Sequence, residues 1–553
     1  MLPPRVAVGR TYSILLAFWI AATAYNLFKP YHIDDSAHLQ FAQALITHPL
    51  HPMTTVLNLG GTPEPIWHFN QPPLYFYMLG VWGSLFGYSE PAMHMMGALF
   101  SLAAIVLFFR IARVLVPWCA LWVTGMMTLG PAFVVEQNLM VDVPLLAVWL
   151  LFFDALIVGT DRDESTQHRR FLVAAGAASA ALLIKYSSLV LPPILIAVLL
   201  VEKRWRLLWI GAIPFAVLGA WSLSNFLEYR HIHILQRPAH AFRDRPSLPL
   251  LRFVGIVVTL GGLTVFPLIP MVRGIPSLCR QARLTYLVLA TAGIILVLLA
   301  ARGIADGPIA LLLRVLFLFN GALFIATVAV AFVRRLMEPG PTLVANPANV
   351  RSMILLLWIG GHLAFYSLFA PFMAARHVLL VLPALLVVGA RLLPRPLPRI
   401  DAAFGLATTL ALTAMIGWAD WRFAAFFRDE ASTIAADLPA RSRVWFYGGW
   451  GWQWYALQAG FRIVDIEDSQ MKPGDYLVAP SDEATPRSFI IDQLSSRSPI
   501  TLIHADTKRL GWGDLFCTAR PSHFYGVPYA WLPEGPWALT MNCFNEVDVY
   551  QVG

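Results

Sequence analysis

Charged residues are scarce in this 553-residue chain. Only 13% of its residues are Asp, Glu, Lys or Arg and 58% are hydrophobic, whereas ordinary soluble proteins contain about 25% charged residues. This scarcity is not typical of a soluble protein, and with many long apolar runs it predicts a polytopic α-helical membrane protein. The net charge of +8 predicts no nucleic-acid partner, because the lysines and arginines cluster at the ends of the apolar runs.

Cysteine is also scarce. The four cysteines are Cys119, Cys279, Cys517 and Cys543, which are too few for a disulfide scaffold. Cys119 and Cys279 fall near predicted cytoplasmic ends of membrane spans. Cys517 and Cys543 lie near the carboxyl end. They can form a disulfide only if this part of the chain is extracytoplasmic, and their spacing leaves the pairing open.

Lysine and arginine are absent between Lys29 and Arg110. Because cytoplasmic connections of membrane proteins are rich in these residues, the absence places the first loop, residues 29–91, on the outer face. The amino terminus is then cytoplasmic and the protein is expected in the plasma (inner) membrane. The stretch 72–87 begins with two prolines and is too short to cross the bilayer, so it is predicted to be an interfacial helix.

Residues 12–28 lack a small-residue cleavage site and are predicted to be the first membrane span rather than a cleaved signal. An odd number of spans, about thirteen, places the carboxyl terminus outside. The predicted spans are 12–28, 92–109, 117–134, 143–159, 171–184, 188–201, 207–226, 252–272, 284–301, 309–333, 352–370, 378–393 and 401–418.

The chain changes character at Asp420, where charges, turns and short apolar runs replace the long ones. The runs RVWFYGG (443–449), RIVDI (462–466), DYLVAP (475–480) and ITLIHAD (500–506) predict strands. The sequence therefore predicts a membrane domain over 1–419 and a small extracytoplasmic α/β domain over 420–553.

Acidic residues occur at two outer positions where they are costly. Asp34 and Asp35 begin a predicted helix in the first loop, and Asp142 lies at the membrane boundary before Pro144. Ionisable groups at membrane depth are usually functional. The alternative is that these residues only cap helices, a role that aspartate performs well. Glu136 is a weaker candidate in the same loop as Asp142.

Cationic residues are predicted to reach the same face. The loop 228–246 contains four arginines and three histidines. One interpretation is that its arginines bind a phosphate group; the alternative is that the loop only contacts anionic lipid or solvent. Lys185 and Arg376, the latter followed by His377, lie at outer span ends, where simple anchoring is the alternative. The residues of the loop are Arg230, Arg237, Arg243, Arg245, His231, His233 and His240.

Carboxylates and cations beside an apolar wall suit a substrate with a phosphate and a long lipid tail. A carboxylate accepts a proton from an attacking hydroxyl or amine, and the cations stabilise the departing phosphate. His231 and His233 form no complete metal motif, so a divalent metal is possible without being supported by a ligand set. The substrate groove is expected to contain His38, Gln71, Tyr75, His231 and His377.

Five segments carry a resemblance to a known family. They are Asp34–Asp35, QPPLYFY (71–77), MVDVPL (140–145), LLIKYSS (182–188) and RHVLLVLP (376–383). Their order resembles the GT-C glycosyltransferases, in the branch of protein O-mannosyltransferases and lipid A aminoarabinose transferases. The resemblance implies inverting transfer of a sugar from a polyprenyl-phosphate donor to an extracytoplasmic acceptor, which is a glycan such as lipid A, a lipid or a protein.

The resemblance also implies roles for individual residues. Asp34 matches the catalytic base, Asp35 its companion acid and Asp142 the acid of the second outer loop. Lys185, with Arg376 and an arginine of the 228–246 loop, matches the groups near the donor phosphate. Asn70 and Gln71 depart from the aminoarabinose-transferase pattern, which has an acid and a lysine before the two prolines, so neither that donor sugar nor a metal is implied.

Two other classes of protein fit parts of the pattern. A transporter or flippase of a lipid-linked substrate usually buries its ionisable groups near the bilayer midplane, often in repeated halves. Here the acids lie at the outer boundary and no internal repeat is visible. A scaffold without catalytic activity is the third possibility.

Overall fold

The computed structural model describes most of the chain. The described residues are 5–69, 71–159, 164–236, 248–264, 306–337, 346–370, 372–468, 470–480, 501–511, 516–518, 524–526, 530–539 and 544–553.

Helices dominate the described residues as far as residue 437. The helices up to the second outer loop are α1 (Arg5–Thr23), α2 (Asp35–Thr47), α3 (Leu74–Phe86), α4 (Glu90–Leu115), α5 (Ala120–Thr128) and α6 (Pro131–Val134). Those that follow are α7 (Asp142–Ile157), α8 (Glu164–Ile184), α9 (Leu191–Val201), α10 (Leu208–Tyr229), α11 (Pro249–Leu263) and α12 (Asp306–Met337). The last are α13 (Pro347–Phe369), α14 (Ala375–Leu379), α15 (Leu382–Ala390), α16 (Arg399–Asp437) and, in the carboxyl-terminal part, α17 (Trp450–Gln458).

Six helices within the described ranges are long and apolar enough to cross a membrane. Their exposed surfaces carry large apolar side chains, for example Leu223 on α10 and Phe404 on α16, as expected of surfaces that face lipid. The protein is therefore a multi-pass membrane protein.

Each predicted span that falls on described residues contains helix. The predicted span 284–301 lies outside the described residues, so the count of thirteen stays a prediction. The predicted span 117–134 is divided into α5 and α6, because Gly130 and Pro131 interrupt the helix. The stretch predicted to be interfacial forms the 13-residue helix α3.

The carboxyl-terminal part contains a mixed five-stranded sheet. Its strand order is β4-β3-β5-β9-β6, with β3 parallel to β4 and β5 and with β9 antiparallel to β5 and β6. The sheet strands are β3 (Val444–Phe446), β4 (Arg462–Ile463), β5 (Tyr476–Pro480), β6 (Leu502–Gly511) and β9 (Phe544–Val552); two further pairs are β1 (Val56–Asn58) with β2 (Pro63–Pro65) and β7 (Phe516–Cys517) with β8 (Ala538–Leu539).

All four strands predicted from the sequence after Asp420 are confirmed by β3, β4, β5 and β6. The boundary at 419/420 is not a structural break, because α16 continues through it to Asp437. Cys517 is disulfide-bonded. Cys543, whose pairing with Cys517 the sequence leaves open, lies outside the described residues.

A buried ion pair ties α16 to the start of the first outer loop. Lys29 and Asp420 are in direct contact, and both side chains are fully buried. The Lys29 Nζ also donates to Asn138 Oδ1 at 2.6 Å, while Thr518 and Tyr525 donate hydroxyl hydrogens to the Asp420 carboxylate. Burial of paired charges is tolerated only when such additional hydrogen bonds are present, so this network holds four distant parts of the chain together.

Breaking this pair is expected to destabilise the protein strongly. Either Lys29→Met or Asp420→Leu leaves one charge buried without its partner, at a cost of about 3–5 kcal/mol. The double variant is expected to lose less than the sum of the two single variants. Thermal unfolding of the detergent-solubilised protein measures all three, and additive losses would contradict the coupling.

Candidate functional site

Two adjacent acids at the start of α2 have different environments. The Asp35 side chain is fully buried and accepts two backbone hydrogen bonds, from the N–H of His32 at 2.8 Å and from the N–H of Leu139 at 2.8 Å. Asp34 precedes the helix without a side-chain capping bond, and its side chain is 33% exposed. The capping interpretation therefore fails for Asp34, whose carboxylate is accessible.

Asp35 has a strongly shifted protonation equilibrium. Burial raises the pKa of Asp35 to about 8, although the N–H donors of His32 and Leu139 act in the opposite direction. A buried carboxyl that is already engaged with two backbone amides is poorly placed to take a proton from a substrate. The structure thus makes Asp35 a residue that joins two loops.

Arg376 lies between the two acids that the sequence singled out in different loops. Its Nη2 is 3.9 Å from Asp34 Oδ2 and its Nε is 4.0 Å from Asp142 Oδ2. On the other side, Lys185 Nζ donates to Asp142 Oδ1 at 2.7 Å. Four predicted residues, separated by up to several hundred positions in sequence, therefore form one alternating cluster of acids and cations.

Both cations of this cluster stay charged. Burial alone lowers the pKa of Arg376, but the carboxylates of Asp34 and Asp142 outweigh it and leave the pKa raised. For Lys185 burial acts in the same direction, and the Asp142 carboxylate again leaves the pKa raised. Arg376 is therefore a buried member of an ion cluster and Lys185 a half-buried one, and neither is a solvent-exposed anchor.

A cavity of about 620 Å³ opens beside these cations, within the range of small-molecule sites. Lys185 and Arg376 stand at its polar end, together with Gln71, Ser187, Tyr366 and His377. The rest of the wall is apolar and comes mainly from α9 and α13. Its members include Leu189, Val190, Pro193, Ile194, Ala197, Leu357, Gly361, Phe365 and Phe369.

The polar end contains side-chain atoms that are buried without a hydrogen-bond partner among the described residues. These atoms are Gln71 Oε1, Arg376 Nη1 and His377 Nδ1. The buried hydroxyls of Ser187 and Tyr366 interact with each other and have no further hydrogen-bond partner among the described residues. Buried polar atoms are almost always satisfied in native proteins, and four of these five atoms can donate a hydrogen bond. Buried donors without a partner, beside two cations that line the same cavity, suit an anionic oxygen group.

The other residues predicted from the sequence lie in several places. Gln71 and His377 line the cavity as expected. His38 and Tyr75 instead support the second outer loop, since Nδ1 of His38 and the hydroxyl of Tyr75 both contact the carbonyl oxygen of Leu139, at 2.8 and 2.9 Å.

The basic outer loop contributes little to this cavity within the described residues. Arg230 is exposed over the ring of Phe226, and His231 is exposed beside Trp67; neither lines the cavity. His233 is buried, with Nδ1 2.9 Å from the Tyr186 hydroxyl. Arg237, His240, Arg243 and Arg245 lie outside the described residues.

Sequence reasoning missed Ser187 and Tyr366 as lining residues. Ser187 follows Lys185 in LLIKYSS, and Tyr366 is a polar residue inside an apolar span, which is a recognisable signal. In the described part of the chain, no three His, Cys, Asp or Glu side chains are grouped so that they could hold a metal ion.

These features define a multi-pass membrane protein with a half-buried ion cluster beside a largely apolar cavity. A family model described as dolichyl-phosphate-mannose-protein mannosyltransferase matches residues 70–227, a segment that includes Gln71, Asp142 and Lys185. For this segment the match agrees with the resemblance to protein O-mannosyltransferases that the motifs predicted.

Three solved structures are similar to the chain at low identity. ArnT from Cupriavidus metallidurans, bound to undecaprenyl phosphate, is 16% identical over 86% of this chain and 93% of that chain, with a TM-score of 0.41. AglB from Archaeoglobus fulgidus, in complex with an inhibitory peptide and a dolichol-phosphate, is 12% identical over 87% of this chain and 70% of that chain, with a TM-score of 0.46. The arabinofuranosyltransferase AftD from Mycobacteria is 13% identical over 100% of this chain and 40% of that chain, with a TM-score of 0.43.

All three TM-scores are below 0.5, so these structures define neither the fold nor the activity of this chain. No curated protein matches the sequence significantly.

Glu136 offers a pH test of the buried cluster. Its side chain is fully buried, neither carboxyl oxygen has a hydrogen-bond partner among the described residues, and burial raises its pKa to about 8. Between the unfolded pKa, about 4.3, and the folded value, the folded state holds a proton that the unfolded state releases. Stability from this group therefore falls as the pH rises through that window.

Glu136→Gln removes this ionisation. We expect the unfolding midpoint of the variant, relative to the wild type, to rise by roughly 2 °C or more between about pH 5 and pH 8.5. Thermal unfolding in one detergent at several pH values measures it, and a difference that is independent of pH would show that Glu136 is not protonated in the folded protein.

Proposed function

We propose that this protein is a membrane glycosyltransferase that moves a sugar from a polyprenyl-phosphate donor to an extracytoplasmic acceptor, with inversion. The observation that carries the proposal is the polar end of the cavity. There Lys185, Arg376 and several unpartnered donors surround space for one anionic group, and the accessible carboxylate of Asp34 lies 3.9 Å from Arg376.

The cavity supports a lipid-linked phosphate as the donor. A guanidinium and an ammonium group are the side chains that bind phosphate best, and the hydroxyls of Ser187 and Tyr366 supply further hydrogen bonds. The wall built from α9 and α13 is apolar, so it accommodates hydrocarbon rather than a free sugar phosphate. A phosphate at the cationic end with an isoprenoid chain along the wall uses both features.

Asp34 is the best candidate for the base among the acids of this cluster. Its side chain is 33% exposed, whereas those of Asp35 and Asp142 are fully buried. The Asp142 carboxylate is bound by Lys185 and Asp35 by two backbone amides. In the proposed roles Asp34 takes the proton, Asp142 orients the two cations, and Asp35 holds the loops.

The proposed reaction is a single displacement. The Asp34 carboxylate accepts the proton of the acceptor hydroxyl or amine while that oxygen or nitrogen forms a bond to the anomeric carbon of the donor sugar. The bond between the anomeric carbon and the phosphate oxygen breaks, and the polyprenyl phosphate leaves with both electrons. Lys185 and Arg376 stabilise the charge that develops on the phosphate, and attack opposite to the leaving group inverts the anomeric centre.

The topology that accompanies this proposal is the one predicted from charge. The amino terminus is cytoplasmic, about thirteen helices cross the plasma membrane, and residues 420–553 form an extracytoplasmic α/β domain. The acceptor is then a glycan, a lipid or a protein on that side. The family model that matches 70–227 describes enzymes using a dolichyl-phosphate sugar, which supports a polyprenyl-phosphate donor for this chain.

Removing the ammonium group at the polar end is expected to weaken lipid-phosphate binding. In Lys185→Met we expect the affinity for undecaprenyl phosphate to fall about tenfold, since a charged hydrogen bond contributes about 1.5–3 kcal/mol. Lys185→Arg keeps the charge and should retain most of the affinity.

Binding can be measured by native mass spectrometry of the protein in nanodiscs. The matched control is Lys203→Met, at the other end of α9 beyond Val201. Equal affinities for Lys185→Met and the control would contradict a phosphate site at Lys185.

Removing the proposed base is expected to stop transfer without affecting the fold. Asp34→Asn keeps the size of the side chain but cannot accept the proton, so we expect the transfer rate to fall at least 10²–10⁴-fold, with undecaprenyl phosphate binding retained. Glu64→Gln, an exposed acid of the same loop, should keep wild-type activity.

The assay supplies a panel of undecaprenyl-phosphate-linked hexoses and pentoses and a cell-envelope extract as acceptor, and it measures released undecaprenyl phosphate. Full activity of Asp34→Asn would exclude Asp34 as the base. Uptake of the labelled donors into proteoliposomes without any glycosyl product would favour a transporter or flippase instead.

A further inference from the structure

The backbone directly before the proposed base is strained. Ile33 has φ of +48°, a left-handed conformation that a β-branched residue rarely adopts. Such a conformation persists only where the surrounding structure imposes it. Because Asp34 makes no capping bond with its side chain, the position of its carboxylate depends on this backbone, so the groups that hold residues 31–33 also position Asp34.

Part of the restraint is local. The Asp35 carboxylate binds the N–H of His32, and the N–H of Asp35 donates to the carbonyl oxygen of His32 at 3.0 Å. These two bonds close a short turn around Ile33. They leave the preceding residue, Tyr31, to be held by something else.

Helix α17, more than 400 residues away in sequence, holds Tyr31. The Tyr455 hydroxyl accepts the N–H of Tyr31 at 2.7 Å and donates its own hydrogen to Glu90. The Tyr31 ring lies edge-on against Trp454, with ring centroids 5.4 Å apart. In the first turn of α2, Ser36 Oγ accepts the N–H of Trp454 at 3.3 Å.

The helix also approaches the backbone of the turn closely. A Cβ atom on Gly451 would lie 2.5 Å from the carbonyl oxygen of Tyr31 and 3.2 Å from the Cα of His32. Only glycine permits this contact. Helix α17 therefore touches the strained turn on two sides, through the hydroxyl of Tyr455 and through the bare Cα of Gly451.

We propose that helix α17 is a positioning element of the transfer site, in which Gly451 and Tyr455 hold the strained turn at Ile33 so that the Asp34 carboxylate faces Arg376. The inference rests on the proposed function, because it needs Asp34 to be the base. It assigns to the carboxyl-terminal part a direct role in the rate of the reaction, in addition to any role in acceptor binding.

The first test deletes one hydroxyl. Tyr455→Phe leaves the ring in place but frees the N–H of Tyr31 and releases Glu90. We expect kcat for release of undecaprenyl phosphate to fall roughly tenfold or more, since a misplacement of about 1 Å costs up to about a hundredfold. The KM for the donor and the stoichiometry of undecaprenyl phosphate binding should not change, because the cavity does not touch α17.

Hydrogen exchange provides a readout that does not depend on activity. In Tyr455→Phe the amides of residues 31–36 should exchange faster, while those of residues 185–190 at the cavity keep the wild-type rate. The matched control is Tyr77→Phe, which deletes a hydroxyl bond to the carbonyl oxygen of Pro49 in the same loop and should leave both kcat and the exchange of residues 31–36 unchanged.

A second pair of variants tests the steric contact and the strain. Gly451→Ala should lower kcat as Tyr455→Phe does, whereas Gly97→Ala, with open space around its Cα, should not. Ile33→Gly, added to Tyr455→Phe, should restore several-fold of the lost kcat, because glycine adopts positive φ without steric cost.

The outcomes separate this inference from the proposed function. If the wild-type protein transfers no sugar from any donor, the proposed function fails and the inference fails with it. If the wild type is active but Tyr455→Phe and Gly451→Ala keep its kcat, the inference alone is overturned. A fall in kcat matched by an equal fall in bound undecaprenyl phosphate, or no recovery with Ile33→Gly, also overturns it, since either result indicates general destabilisation.

Discussion

The two hydrogen bonds of the Asp35 carboxylate are the constraint on which the site depends. One oxygen accepts the N–H of His32, in the loop 29–91, and the other accepts the N–H of Leu139, in the loop between α6 and α7. Because the carboxyl is fully buried, losing either donor would leave a polar oxygen without compensation. This residue therefore locks the two loops together, and its neighbour Asp34 then lies within reach of Arg376.

The polar end of the cavity contains buried polar groups that lower the stability of the fold. The cations are balanced by Asp34 and Asp142, but several buried donors beside them have no partner among the described residues. Each buried polar atom without a partner lowers the stability of the fold. In the Lys29–Asp420 network, by contrast, every described member is hydrogen-bonded, so that network stabilises the fold.

The sequence identified the important charged residues near the membrane boundary, but it did not reveal the role of each one. Scarce charge made Asp34, Asp35, Asp142, Lys185 and Arg376 conspicuous, and each also had an equally good structural interpretation as a cap or an anchor. The adjacent pair shows the limit most clearly. Both acids suit a helix start, yet Asp35 is buried against two backbone amides and Asp34 faces a guanidinium. No local pattern distinguishes them.

The sequence by itself determined the apolar helices, the four strands β3 to β6 and the short list of charged candidates, because hydrophobic runs, turn residues and charge are properties of neighbouring residues. Only the tertiary structure decided which candidates meet. The contacts that build the site join Asp35 to Leu139, Asp34 to Arg376 and Tyr31 to Tyr455, and they arise from helix packing over the whole chain. Contacts between such remote residues cannot be read from the periodicity of the sequence, because they form only when the whole chain has folded.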